Sequence, residues 1–492
     1  MRFDKKDFFV IFSVLTAVVI SYFIFGAPYS FRFNTDNAVH VLMAADFDWT
    51  EDFYYWAQNR LGSFSALLGS WLVKIGVAPI HAVTMVKYGW IISIIFFAGK
   101  LIKNRWLTII LALTLLFPSV YHFRLLQLAH PYPEQISAIL FAAVFFKSAI
   151  ENRSDVGILR MAGIGIFSAL ALWVNDATFV FIGIFIVALS IAQWQKLIKL
   201  TRGSVLSFIL GLGIPAAYII YRKVTTIDYT GYGQQSVNSL SVFAGSLVSW
   251  YKEYLPFFSN DEPIFLSTYF AALLPIFVFA GFVFIGYILV KRKSTLSELL
   301  IPALLIATAT TLYVLVCLSE WYIKNESNSR YLISSFYLFL IGIFILINQR
   351  KQDTKTPAAS LILLSSVLVV IGAITGLTMT KTSRFSIDED QKDELKQLYG
   401  KGLISNYWFS YAISAHAPDK IAATPRAGDW MRSHEEKNKV LESDTIYIVK
   451  TQWLESYPDT IEQWGVYMKK MEPLHEISVG NATMAGYKRI YN

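Results

Sequence analysis

Cysteine is almost missing. The chain has one, Cys317, in 492 residues. No disulfide framework can form within it, which fits a bacterial envelope better than a eukaryotic lumen. Charge is scarce too. Asp, Glu, Lys and Arg make up 16% of the residues, against 55% hydrophobic, and soluble domains carry more charge than that. No cluster of His, Cys or carboxylates has metal-ligand spacing. No internal repeat marks an inverted-repeat transporter.

A surplus of positive charge is present, but it excludes less than it suggests. The net charge of +8 invites a nucleic-acid partner. Residues 380–492 hold 15 Lys or Arg and 16 Asp or Glu, so the tail is near neutral. The excess lies in short loops between apolar runs, where membrane topology explains it. No nucleic-acid partner is expected.

Those runs are long enough to cross a bilayer. Eleven spans are predicted, at about 8–27, 81–99, 106–121, 134–150, 157–173, 177–195, 204–221, 264–290, 298–318, 331–348 and 358–379. The first lacks a small-x-small cleavage site and many spans follow, so it reads as a retained helix. With the N-terminus in the cytoplasm, six cytoplasmic segments hold three basic residues each, from Arg2, Lys5 and Lys6 to Arg350, Lys351 and Lys355. That obeys the positive-inside rule.

An odd number of spans puts the tail on the outer side. Its mixed charge and its Trp and Tyr residues predict a folded domain. DEDQKDELKQLYGKG reads as a charged helix stopped by Gly402, and TIYIVKTQW as a strand. The predicted fold is therefore an all-α polytopic membrane module of about 11 transmembrane helices over 1–379, with a small C-terminal α/β soluble domain over 380–492. Interfacial helices are expected in the first outer loop at about 34–78, where FSALLGSWLVKI is apolar but too short to span comfortably. A polar, Gly-rich outer loop is expected within 222–263.

Solvated loops account for most outer acids, including Asp48, Glu51 and Asp52. They account least well for Asp36, which lies just past the first apolar run with His40 one turn on. Around Asp36 the sequence reads Thr-Asp-Asn-Ala-Val-His, and residues 53–64 read FYYWAQNRLGSF. LQLAHPYPEQ covers 126–135, NESNSRYL covers 325–332, and GLISNYWFSYAISAHA covers 402–417. In their order and their shared outer side, these stretches resemble the GT-C superfamily of membrane glycosyltransferases. The chain length, the eleven-span plan and the modest outer tail resemble the glucosyltransferases that decorate bacterial O-antigen.

The resemblance implies transfer of a single sugar, expected to be glucose, from a polyprenyl-phosphate donor. The acceptor would be a hydroxyl of a surface glycan such as O-antigen. The reaction would occur on the periplasmic side of the bacterial inner membrane and invert the anomeric carbon. Asp36 would serve as general base. Arg330 and Arg60 would bind the donor phosphate, because guanidinium stays charged and grips oxyanions in two-pronged fashion. Asn37, His40, Asp46, Gln58, His130, Glu134 and Tyr331 would contact substrate.

Many members of the superfamily carry two adjacent acids after the first span. Here Asn37 follows Asp36, so neither a metal nor a cofactor is expected. Bland roles stand beside these. Arg330 would serve as an interfacial anchor, Arg60 and Gln58 as helix tethers, His130 as a span boundary before Pro131, and Asp46 as part of a solvated face. Two other functions compete: a transporter or flippase for a lipid-linked sugar, and an O-antigen polymerase or ligase. A transporter should place charge at mid-membrane, whereas the predicted spans are nearly free of it, with Lys87 the main exception.

Overall fold

The computed structural model describes residues 5–29, 33–118, 123–152, 157–226, 296–319, 322, 329–351, 392–450, 453–472, 475–479 and 482–490. The predicted spans 264–290 and 358–379, and most of the 222–263 loop, lie outside the described residues. The other nine predicted spans coincide with helices. These are α1 (Lys5–Phe25), α4 (Pro79–Ile102), α5 (Arg105–Leu116), α6 (Tyr132–Asn152), α7 (Ile158–Val174), α8 (Phe179–Trp194), α9 (Arg202–Thr225), α10 (Leu296–Leu318) and α11 (Ile333–Lys351). Two shorter helices, α2 (Thr35–Ala45) and α3 (Phe64–Lys74), fill the predicted interfacial stretch.

Six helical stretches are long and apolar enough to cross a membrane: Pro79–Ile102, Tyr132–Glu151, Asp176–Trp194, Arg202–Thr225, Leu296–Leu318 and Arg330–Gln349. α5 ends at Leu116, short of its predicted end, because Phe117 precedes Pro118 and a residue before proline is pushed out of the helical region.

Helix ends gather on two opposite faces. One cavity, of about 350 Å³, draws its walls from Ile102, Glu151, Glu298 and Gln349, which are helix ends on one face. Another, of about 260 Å³, draws on Ala129, Asn175, Ser319 and Arg330 at the opposite face. That second face also carries α2.

Helix packing is close where side chains are small. A Cβ on Gly165 of α7 would lie 2.7 Å from the Phe208 carbonyl oxygen of α9, and one on Gly211 of α9 would lie 2.6 Å from the Ala162 oxygen. The two backbones touch there, the arrangement small residues permit between apolar helices. Lys87 of α4 and Glu134 of α6 pair at 3.3 Å with side chains 1% and 5% exposed. Ser65 of α3 donates to Glu134, and Lys87 also donates to the His130 carbonyl oxygen. Three helices and the chain before α6 are tied at this point, so the charge in the bundle is a neutralised clamp.

The C-terminal unit is a mixed sheet in the order β2-β1-β3-β7-β5-β4, with β6 also paired to β7. Its strands are β1 (Lys401–Ser405), β2 (Ile421–Pro425), β3 (Ile446–Val449), β4 (Thr460–Gln463), β5 (Val466–Lys470), β6 (Glu476–Val479) and β7 (Ala482–Arg489). β1 runs parallel to β2 and β3, and the β7 pairings are antiparallel. The eight residues of β7 divide one edge between β6, over Ala482–Ala485, and β5, over Tyr487–Arg489.

The helices of this unit are α12 (Lys392–Leu395), α13 (Tyr407–Ser414) and α14 (His434–Glu442). The predicted strand is β3. Residues 388–391 of the predicted charged helix lie outside the described residues, and the rest of it is α12. It passes into a 3₁₀ turn that ends at Leu398, and Gly400, at φ +70°, makes the turn assigned to Gly402. Gly402 lies within β1.

The α7–α9 contact sets one prediction. Gly165→Val should cost roughly 1–3 kcal/mol by forcing the helices apart. Gly183→Val on α8, where a Cβ meets nothing within 4 Å, should change stability by about 0.5 kcal/mol or less. Thermal unfolding in detergent compares the two.

Candidate active site

The first turn of α2 is built by its asparagines. The Asn34 side chain accepts from the Asn37 backbone N–H at 3.2 Å and caps the helix. It also accepts from the Asn37 amide at 2.8 Å. Asn37 in turn accepts from the Ala129 N–H at 3.1 Å. Its side chain therefore locks the start of α2 to the segment that carries His130. Asp36 sits between these asparagines' anchors, in the first turn, where the helix dipole favours a negative charge.

α13 packs on α2 through Tyr407, Tyr411, Ala412 and Ala415, against Ala38, Val41 and Leu42 among others. The Thr35 hydroxyl donates to the Tyr407 carbonyl oxygen at 2.5 Å. The sheet domain is thereby docked so that the Tyr407 phenol donates to Asp36 Oδ1 at 2.6 Å. The same phenol oxygen accepts from Arg432 Nε at 2.9 Å. Arg432 Nη2 lies 3.9 Å from Asp36 Oδ1.

Tyr411 holds the arginine's backbone: its phenol oxygen accepts from the Arg432 N–H at 3.0 Å. The guanidinium lies over the rings of Tyr55 and Tyr407, at 5.4 and 5.3 Å. Burial works against the Arg432 charge, and Tyr55, Tyr407 and Asp36 outweigh it and raise its pKa. Burial, with Asp36 next, pushes the Tyr407 phenol well above the usual tyrosine range, so it stays a donor. Arg432 Nη1 is buried with no partner among the described residues. Asp36 Oδ2 also has none among them, and the Asp36 side chain is 31% exposed.

The cavity of about 260 Å³ opens beside this cluster. Six predicted site residues line it: Asp36, Gln58, Arg60, His130, Arg330 and Tyr331. Gln58 and Arg60 arrive on a tight loop. Tyr54 bridges Gly62, the Tyr55 N–H donates to the Leu61 oxygen at 2.8 Å, and Ala57 turns the chain at φ +61°. Gly62 donates its N–H to the Trp173 oxygen, and a Cβ on it would lie 2.6 Å from Trp173 atoms. Arg60 Nε donates to Gln58 at 3.2 Å, and Arg330 donates to the Tyr331 phenol at 2.5 Å. Burial, aided by Arg124 and Arg330, pushes the His130 pKa well below its usual value, so this imidazole is neutral. Its ring stacks on Tyr132.

Four predicted residues lie elsewhere. Asn37 ties the start of α2 to Ala129, and Glu134 belongs to the Lys87 clamp. His40 is buried against the Tyr55 ring at 5.1 Å, with its pKa pushed by burial and Lys87 down to about 3. Asp46 lines a different cavity, of about 640 Å³, with Asp419 and Lys439 of the sheet domain.

Tyr407, Arg432 and Tyr55 were missing from the predicted site. Tyr407 lay inside a stretch picked out for its resemblance, but nothing local said that it reaches residue 36. Among the described residues no three His, Cys, Asp or Glu side chains group as metal ligands.

No protein-family model matches the chain, and no curated protein matches it. Among solved structures it is similar to the archaeal oligosaccharyltransferase AglB from Archaeoglobus fulgidus, in complex with an inhibitory peptide and a dolichol-phosphate. That match has 12% identity and a TM-score of 0.47, over 90% of this chain and 69% of that one. ArnT from Cupriavidus metallidurans in the apo state matches at 9% identity and a TM-score of 0.47, over 98% of each chain. ArnT bound to undecaprenyl phosphate matches at 8% and 0.45, over 97% of this chain and 98% of that one. Likeness at this level carries no argument about activity, which has to rest on the residues of the cavity.

The loop that leads to Gln58 gives a second prediction. Burial raises Asp52 to about 7, although it accepts from Trp56 Nε1 and the Asp48 N–H. Its folded pKa lies above its unfolded value, so as pH rises from 4 to 8 the unfolded chain loses its proton first and folding weakens. Asp52→Asn removes this term. The melting temperature of the variant, relative to the parent, should therefore climb over that range. A difference independent of pH would show that Asp52 stays charged.

Proposed function

We propose that this chain is a membrane glycosyltransferase that moves one sugar, glucose in our reading, from a polyprenyl-phosphate carrier to a hydroxyl of a surface glycan such as O-antigen. The protein would lie in a bacterial inner membrane with its N-terminus in the cytoplasm. Its sheet domain and cavity would face the periplasm. The observation that carries this reading is the convergence of three arginines, Arg60, Arg330 and Arg432, with one carboxylate, Asp36, on a single cavity at the helix ends.

The donor in this reading is a phosphodiester with one negative charge. When the acceptor oxygen attacks the anomeric carbon, the bond from that carbon to the phosphate oxygen breaks. The electron pair leaves on the phosphate, which becomes a monoester carrying about −1.5 to −2 charge. Three guanidinium groups favour that gain of charge in the transition state more than they favour the donor. A phosphate leaves without a general acid. The acceptor hydroxyl must lose its proton, and Asp36 takes it. Because Tyr407 occupies Oδ1, the proton goes to Oδ2. A single displacement with one base inverts the anomeric carbon.

Membranes bearing the parent chain should transfer sugar from polyprenyl-phosphate glucose to an O-antigen-bearing lipid. Asp36→Asn keeps the shape and removes the base, and should lower the rate roughly 10²–10⁴-fold. Tyr407→Phe keeps the ring against α2 but frees the carboxylate, and should cost about tenfold or more in kcat. Full activity in a normally inserted Asp36→Asn variant would move the base elsewhere.

A further inference from the structure

The Asp36 cavity has a neighbour. A cavity of about 570 Å³ lies between the 50–58 loop, the last turns of α9 and residues 432–435 of the sheet domain. The two cavities share Tyr55, Gln58 and Arg432 as a common wall. Two of these wall residues reach Asp36: the Tyr55 phenol donates to its backbone oxygen at 3.3 Å, and Arg432 lies 3.9 Å from its carboxylate.

The walls differ in chemistry. On the Asp36 side, three arginines face a single carboxylate. The neighbour is faced by Trp56, Tyr218 and Tyr221, with the carboxylates of Glu51 and Glu435. Of its two arginines, Arg432 belongs to the shared wall and Arg222 is held by the carbonyl oxygens of Trp49 and Thr50. Ring faces, phenols and carboxylates suit a neutral, hydroxyl-rich molecule. Rings cover the C–H faces of a sugar, and carboxylates accept from its hydroxyls. An anion would meet Glu51 and Glu435, and so would an acyl chain, which gains nothing from desolvating them.

Geometry adds a second argument. Inversion requires the nucleophile and the leaving group to approach one carbon from opposite sides, with the base on the nucleophile's side. Asp36 lines the cationic cavity and touches Tyr55 and Arg432 of the wall it shares with the aromatic one.

We propose that the aromatic cavity is the acceptor subsite and that it holds the saccharide end of the acceptor glycan. This rests on the transferase reading above. Tyr55 and Arg432 then stand at the threshold across which the acceptor hydroxyl meets Asp36.

The test uses the near absence of cysteine. Cys317 is fully buried, whereas Tyr221 is 62% exposed. Tyr221→Cys in the full chain is modified with a bulky methanethiosulfonate reagent, and two affinities are measured in detergent. One is for undecaprenyl phosphate, the other for O-antigen polysaccharide freed of its lipid. Modification should weaken polysaccharide binding at least tenfold and change undecaprenyl phosphate binding less than twofold, and reductant should restore the first. Thr225→Cys, in the same cavity, should behave alike. Undecaprenyl phosphate binding with polysaccharide binding absent, or indifferent to modification at both positions, overturns the subsite alone. Absence of undecaprenyl phosphate binding overturns the transferase reading on which it rests.

Discussion

A carboxylate can only accept, so the hydrogen bond between Tyr407 and Asp36 has one possible direction. The phenol gives its single proton to Oδ1, and its oxygen is left to accept from Arg432 Nε. That choice sets the rest of the site. It holds one carboxylate oxygen, on a residue that lines the cavity. It also fixes the Arg432 fork so that Nη1 is buried and unpartnered among the described residues. Burial keeps the phenol protonated, and the arrangement therefore holds across ordinary pH.

Each end of this contact is braced independently. On the helical side, Asn34 caps α2 and Asn37 ties it to Ala129, next to His130. On the sheet side, α13 packs its apolar face on α2, and Tyr411 holds the backbone of Arg432. The loop carrying Gln58 and Arg60 is pinned by Gly62 against Trp173. The cavity has its Arg432 wall only while the sheet domain is seated. A domain that could have been an appended module supplies a phenol and a cation to the Asp36 cluster.

Much of the fold was legible because apolar runs in a membrane have few options. Each must satisfy its backbone internally, and the basic loops fix alternation. The ends were less so: α5 stops early at a proline. The two short helices of the first outer loop were legible from an apolar run too short to span. In the site, Asp36, Arg60 and Arg330 stood out as charges at the rims of apolar runs, and the structure brings them together. His40 and Glu134 were charges or polar groups at the same rims that turned inward, one against Tyr55 and one against Lys87. Periodicity cannot separate those outcomes, because both kinds of residue follow the same boundary. Tyr407 and Arg432 were illegible for another reason. Their contact with Asp36 spans 371 and 396 residues and depends on how β1 and α13 seat the domain.

The central claim is that the sheet domain completes a phosphate site in the membrane module. Binding of undecaprenyl phosphate to the full chain and to Arg432→Gln, in the same detergent, tests it most directly. Loss of a charge-assisted hydrogen bond costs about 1.5–3 kcal/mol, so the variant should bind at least tenfold more weakly. Equal affinity, in a variant that unfolds at the parent's temperature, would contradict the account. The site would then belong to the helices alone.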